Sequence, residues 1–305
     1  MRTRSGPRAI RRGIIGLTAL VALPMMALAS PAANARADSA APRIGEYVAL
    51  GDSFAAGPAI LPLKDLEVVS PCVRSAVNYP SLLAKSLNAR SFTDVSCGGA
   101  ETGDIDIHSQ GRGPLGARIA PQVDHLSRDT DLITLTIGGN DAGLVGVALK
   151  CAYRLSTKEP CVTGALKREA EAEVEAVGVD LRRVIRAIVS RAPKARLLVT
   201  SYTNYADVTR SNCADQHVRA DDIEALMAIV DRLGEAQRSA AEDLGAEYVD
   251  LITPAAGHDG CSAQPWSNAA QPILNARDFS VAFHPTAAGE RAFARILADH
   301  VRAGA

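Results

Sequence analysis

Four short clusters carry residue types suited to nucleophilic attack on a carbonyl. Gly51-Asp52-Ser53 directly follows the apolar run Glu46–Leu50. A serine just past a buried strand can project its hydroxyl into a crevice while its backbone N–H faces a developing oxyanion. Three residues specify little, and a serine that caps a helix is the plainer account of them alone. Ser96-Cys97-Gly98-Gly99-Ala100 ends a second run. Its paired glycines let the backbone approach a ligand and present a bare N–H, or simply form a turn. Gly138-Gly139-Asn140-Asp141 ends a third run. The asparagine amide can donate a hydrogen bond to an oxyanion without adding charge, and serves equally well as a helix cap. His284-Pro285-Thr286 opens the last helical pattern, and histidine titrates where a general base must near neutral pH. An isolated histidine is more often structural, so position has to decide. Ser53, Gly99, Asn140 and His284 each follow a strand pattern or open the terminal helix.

The elements that must position these residues alternate along the chain. Glu46–Leu50, Ser91–Ser96, Leu132–Ile137, Arg196–Ser201 and Glu247–Leu251 read as strands, being short and rich in apolar residues. Tyr79–Leu87, Thr163–Ser190 and Asp221–Leu244 repeat apolar residues every three or four positions, and Pro285–Val301 closes the chain as a helix. Five strands alternating with helices imply an α/β fold. The expected form is a three-layer, doubly wound α/β/α sandwich around a five-stranded parallel sheet, with right-handed crossovers. In such sheets the ligand crevice lies beyond the carboxyl ends of the strands, where the four clusters fall. The irregular segments 98–120 and 252–283 are placed to shape it. No Gly-, Ser- or Pro-rich linker and no repeat interrupts the chain after residue 45, so residues 38–305 read as a single domain.

Composition narrows the partners. With 305 residues, 47% hydrophobic and 22% charged, the chain matches a soluble globular protein and excludes a disordered chain, a collagen or a polytopic membrane protein. Residues 1–37 hold six arginines and no acid. Removing those six from the 33 basic residues leaves 27 against 34 acids, a net charge near −7. That mildly acidic body argues against nucleic acid as a partner. Aromatic content of 4% leaves few stacking platforms for bases or sugars. Arg2, Arg4, Arg8, Arg11 and Arg12 precede the apolar stretch Gly13–Ala29, and the small-residue triplets Ala33-Asn34-Ala35 and Ala35-Arg36-Ala37 follow it. This is the pattern of a signal peptide, residues 1–37, removed from a secreted, extracellular chain. The apolar stretch is short for a membrane span, so no stable membrane insertion is expected. Cys72, Cys97, Cys151, Cys161, Cys213 and Cys261 fit three disulfides in an exported chain. Sequence alone does not choose the pairing. Consecutive pairing, which closes three local loops, is the expectation, each bond worth roughly 2–4 kcal/mol. No Cys-x-x-Cys occurs and no histidine sits at ligand spacing from a cysteine pair, which argues against zinc, and nucleophilic serine chemistry requires no metal and no organic cofactor.

With its four clusters in this order, the chain resembles the SGNH hydrolases, or GDSL esterases/lipases, over residues 46–303. Gly51-Asp52-Ser53 looks like the first block, with Phe54 where the short name has Leu. Gly99 before Ala100 looks like the second, Gly138-Gly139-Asn140-Asp141 like the third and His284-Pro285 like the last. One block alone is weak; four in order are specific. The six cysteines, and Gly257-His258-Asp259-Gly260-Cys261 leading to Pro265-Trp266, are similar to a secreted actinobacterial branch. The resemblance implies a flavodoxin-like fold, Ser53 as nucleophile and His284 as its base. It also implies an oxyanion hole made of the Ser53 and Gly99 backbone N–H groups and the Asn140 side chain. Many members place an aspartate three residues before the histidine, where this chain has Val281. Some members of the secreted branch use a main-chain carbonyl instead. The resemblance therefore implies the Val281 C=O as acceptor for the His284 ring N–H, with Asp278 as its rival.

The expected function is that of a secreted serine ester hydrolase, monomeric, cleaving carboxylic esters from short acyl esters up to lipids. Carbohydrate O-acetyl ester and phospholipid acyl hydrolysis are the alternatives within the same mechanism. A non-enzymatic binding module on this fold would be expected to lack a catalytic residue, and Ser53, Gly99, Asn140 and His284 are all present. Gly111-Arg112-Gly113-Pro114-Leu115-Gly116 matches a dinucleotide fingerprint but follows no strand and contains proline. Arg182, Arg183 and Arg186 read as a solvated helix face. His258 reads as a structural or exposed histidine, with a part in building the crevice loop as the alternative, and Trp266 as packing in the disulfide-bearing loop, with substrate contact as the alternative.

Overall fold

The apolar runs become β1 (Glu46–Gly51), β2 (Ser91–Asp94), β3 (Leu132–Thr136), β4 (Arg196–Thr200) and β5 (Glu247–Val249). The structure, a computed structural model, describes residues 44–64, 72–108, 110–112, 118–152, 159–206, 219–269, 274–275, 278–279 and 281–304. All neighbouring pairs are parallel and the sheet order is β2-β1-β3-β4-β5. The order reverses at β1, so the crevice beyond the ends of β1 and β3 is the natural ligand site of the sheet. The two strands end together, Gly51 lying opposite Thr136. The N–H groups of Val95 and Cys97 bond Ala49 O and Gly51 O, each at 2.9 Å. Pairing thus continues past the end of β2 and delivers Gly98-Gly99 beside the end of β1.

β3 is buried at every position, whereas β2 alternates between exposed and half-buried residues. That is the difference between a strand covered on both faces and an edge strand. The cover comes from α1 (Ser53–Ala56), α2 (Tyr79–Ser86), α3 (Thr102–Asp106), α4 (Leu144–Ala152), α5 (Gly164–Arg191), α6 (Ala220–Asp243) and α7 (Ala287–Ala303). α2 packs on α7, while α5 packs on α6 and α3. The result is the three-layer α/β/α arrangement that the alternating pattern predicts. α1, α3 and α4 are not among the helices expected from the sequence, and α3 lies within the expected irregular segment 98–120; α1 and α3 are a turn or so long, too short to show a helical period. α7 starts at Ala287, two residues later than expected. Thr286 is its N-cap, accepting from Gly289 N–H at 3.1 Å, and Pro285 bridges to Ser267 instead of entering the helix.

Cys72 pairs with Cys97 and Cys151 with Cys161, as consecutive pairing predicts. Cys261 is also disulfide-bonded, while Cys213 lies outside the described residues. The described elements lie in the unit Ala40–Ala305; the other unit, Met1–Ser39, and with it the expected leader, lies outside the described residues. No helix among the described residues is long and apolar enough to cross a membrane.

Glu290 joins the two helices of one layer. It is fully buried in the first turn of α7; its Oε2 accepts from Tyr79 N–H at 2.5 Å and its Oε1 has no hydrogen-bond partner among the described residues. Burial pushes its carboxyl well above the ordinary carboxylate range, and the Tyr79 N–H only partly opposes this. A group whose pKa is raised by folding favours the folded state fully below its unfolded pKa and loses that contribution as pH rises through the folded one. Glutamine copies the neutral form and keeps the acceptor for Tyr79. Thermal melts between about pH 5 and pH 8 are therefore expected to show Glu290→Gln more stable than wild type at the upper end, with a shallower loss as pH rises. An unchanged pH slope would show that Glu290 does not hold its proton in the folded chain.

Candidate active site

Asp52 N–H bonds Thr136 O at 3.0 Å, so the chain leaving β1 stays against the end of β3. The Asp52 carboxylate then accepts from Phe54 N–H at 2.8 Å and caps α1. Ser53 becomes the first helical residue, and its Oγ lies 2.7 Å from His284 Nε2.

The His284 ring is fixed from its other side. Its Nδ1 lies 2.9 Å from Ala282 O. A carbonyl can only accept, so Nδ1 carries the hydrogen and Nε2 is left to accept from the Ser53 hydroxyl. The carbonyl that meets the ring is therefore that of Ala282, not of Val281. Val281 O is turned elsewhere: it accepts from the His284 backbone N–H and from Asn268 Nδ2, both at 3.2 Å. The tight turn that makes this bond includes Phe283 at φ +59°, a conformation side chains seldom adopt. Asn268 holds the turn, donating from Nδ2 to His284 O at 3.1 Å and from its backbone N–H to the same oxygen at 2.8 Å. Burial lowers the pKa of the His284 imidazole, and the Ala282 carbonyl partly offsets this. The neutral ring, the form able to accept a proton, is thereby favoured. Asp278 lies in a two-residue strand paired through its backbone with Asn275.

The other two clusters leave the sheet beside the Ser53 turn, Cys97 N–H bonding Gly51 O at 2.9 Å and Asn140 Nδ2 reaching Ala100 O. Gly99 has φ +76°, a backbone that suits glycine. Its N–H and that of Ser53 have no hydrogen-bond partner among the described residues. Asn140 Nδ2 donates to Ala100 O at 2.8 Å, and its second N–H has no partner among the described residues. A hydroxyl, a neutral imidazole and three free N–H donors can together form, stabilise and hydrolyse an acyl ester of the serine.

Beneath these groups lies a contact the sequence does not announce. The Tyr202 hydroxyl donates to Asp52 Oδ2 in a short hydrogen bond and accepts from Gly139 N–H at 2.7 Å. One phenol thus links the turn carrying Ser53 to the turn carrying Asn140. Gly139 has to be glycine here, since a Cβ would stand 2.8 Å from the Tyr202 ring. Burial raises the Asp52 pKa to about 7, against the opposing hydrogen bonds from Tyr202 and Phe54.

Residues 49–292 match the GDSL-like Lipase/Acylhydrolase family. The chain belongs to that family. Lipase 2 of Streptomyces coelicolor is 36% identical to this GDSL-family chain over 299 residues, 95% of this chain and 97% of that protein. The crystal structure of an extracellular lipase from Streptomyces rimosus superimposes with a TM-score of 0.68 at 30% identity, covering 84% of this chain and 99% of that one. That of phospholipase A1 from Streptomyces albidoflavus NA297 gives a TM-score of 0.69 at 28% identity, covering 85% and 99%. As a member of the GDSL family the protein is a carboxylic ester hydrolase.

Other residues that the sequence singles out take packing and pairing roles. Trp266 stacks on His258 with centroids 4.1 Å apart and meets Phe293 edge-on, and Trp266 O accepts from Thr286 N–H at 2.9 Å. The pair thus braces the loop that carries His284. Arg182 and Arg183 pair with Asp243, Asp106 and Asp180 on the α5 face. The described residues contain no group of three or more His, Cys, Asp and Glu side chains able to hold a metal ion.

Proposed function

We propose that this GDSL-family hydrolase is exported and cleaves lipid acyl esters through an acyl-enzyme on Ser53. The observation that carries this reading is the 2.7 Å contact between Ser53 Oγ and His284 Nε2, with Nδ1 anchored on Ala282 O. As Oγ attacks the ester carbonyl, its proton passes to Nε2. The oxygen that becomes negative accepts from the Ser53 and Gly99 N–H groups and from Asn140 Nδ2. His284 returns the proton to the leaving alcohol, then takes one from the water that cleaves the acyl-serine. The preference for lipid acyl chains rests on the lipase and phospholipase A1 relatives. Export rests on the basic and apolar pattern of residues 1–37 and on the disulfides, which persist in oxidising compartments.

The testing experiment is hydrolysis of a nitrophenyl ester series from acetyl to palmitoyl by the mature chain, with Ser53→Ala beside it. A rate maximum at long acyl chains is expected; a maximum at acetyl with steep loss thereafter would overturn the lipid preference. The imidazole is oriented by a carbonyl in this reading, so Asp278→Asn is expected to change kcat by less than about tenfold. A loss above about a hundredfold would assign the orienting role to Asp278 instead.

A further inference from the structure

Gln110 belongs to none of the four clusters. It stands at the start of a short two-stranded ladder, paired with Ile119, and its side chain reaches back to the glycine turn. Its Nε2 donates to Gly98 O at 2.7 Å. Its Oε1 is buried and has no hydrogen-bond partner among the described residues. Burying an unpaired acceptor is unfavourable, and such groups are uncommon in native folds unless something else retains them.

The peptide plane explains what the contact does. The Gly98 C=O and the Gly99 N–H belong to one planar trans peptide and point in opposite directions. Whatever fixes the carbonyl also fixes the aim of the N–H. The neighbouring backbone bonds, Gly98 N–H to Cys72 O at 3.2 Å and Ala100 N–H to Cys97 O at 3.1 Å, belong to the flanking peptides. A linkage between two glycines has little steric resistance to rotation. We propose that Gln110 is a positioning residue that aims the Gly99 N–H at the reacting carbonyl by holding Gly98 O. A donor on that carbonyl also polarises the same peptide, which strengthens its N–H as a donor. The inference rests on the proposed role of Gly99 in receiving the oxyanion.

The test uses the mature chain and a short nitrophenyl ester with four proteins: wild type, Gln110→Met, Gln110→Glu and Ser53→Ala. Methionine keeps the length and lacks the donor. For Gln110→Met, kcat is expected to fall about tenfold with KM little changed, since the aim matters to the transition state and not to substrate binding. Glutamate can donate to Gly98 O only when protonated. Its kcat relative to wild type is therefore expected to rise as pH falls through the carboxyl range, while the methionine ratio stays flat. His284 titrates in every variant and cancels in the ratio. Ser53-dependent turnover with wild-type kcat in Gln110→Met, or a flat glutamate ratio, would overturn the inference alone. Turnover independent of Ser53 would overturn the underlying reading and the inference with it.

Discussion

Ser53→Ala is expected to lower kcat by about 10⁴- to 10⁶-fold with little change in thermal stability. Among the described residues the hydroxyl makes one hydrogen bond, with His284 Nε2, and a single hydrogen bond contributes about 1 kcal/mol to stability. The cap that shapes its turn comes from Asp52, not from Ser53, so the variant keeps the local fold. His284→Ala is expected to lose activity to a similar extent, because without Nε2 the hydroxyl has no acceptor for its proton. The double variant then tests the pairing: groups that act as one unit fail together, so it should be little worse than either single variant. The residual rate comes from the donors left in place. Steady-state kinetics on one soluble ester decide it. Independent losses that multiply in the double variant would show that the two residues do not share a proton.

The sheet was legible because its central strands are covered on both faces. Leu132–Thr136 is apolar or β-branched throughout and buried throughout, so the run itself identifies the strand. Ser53, Gly99, Asn140 and His284 were legible as candidates for a different reason: each alone has a plain structural use, and only the four in this order, each at the end or start of an element, single them out. What holds these four was not legible. Tyr202 meets Asp52 across 150 residues, and nothing near a tyrosine after β4 marks that partner. Asn268, Ala282 and Gln110 act through bonds to backbone carbonyls, and a carbonyl has no residue type to recognise. The Val281 expectation failed on the same ground. Counting residues back from a histidine locates a side chain well, but carbonyl direction depends on the turn. Phe283 at positive φ turns Val281 O to the backbone and leaves Ala282 O to the ring.

Asn140→Ala is expected to lower kcat by about 10²- to 10³-fold, which corresponds to ~3–4 kcal/mol of lost transition-state stabilisation. Of the two N–H groups on its amide, one is committed to Ala100 O at 2.8 Å. That bond sets the direction of the other. Alanine removes both, so stability and activity must be separated. Loss of the Ala100 contact should cost about 1 kcal/mol of folding stability, visible as a small drop in Tm. Loss of the second donor should leave KM nearly unchanged, because the oxygen it serves carries full charge only in the transition state. Asn140→Asp sharpens the distinction. The aspartate has the same shape, but an ionised carboxylate repels both Ala100 O and a developing oxyanion, so kcat should fall further than in the alanine variant. Binding of a boronic acid that forms a tetrahedral adduct on Ser53 should weaken in the same order. An alanine variant that keeps kcat within tenfold while losing stability would make Asn140 a brace for the Ala100 turn, and would leave the Ser53 and Gly99 N–H groups to hold the charge on their own.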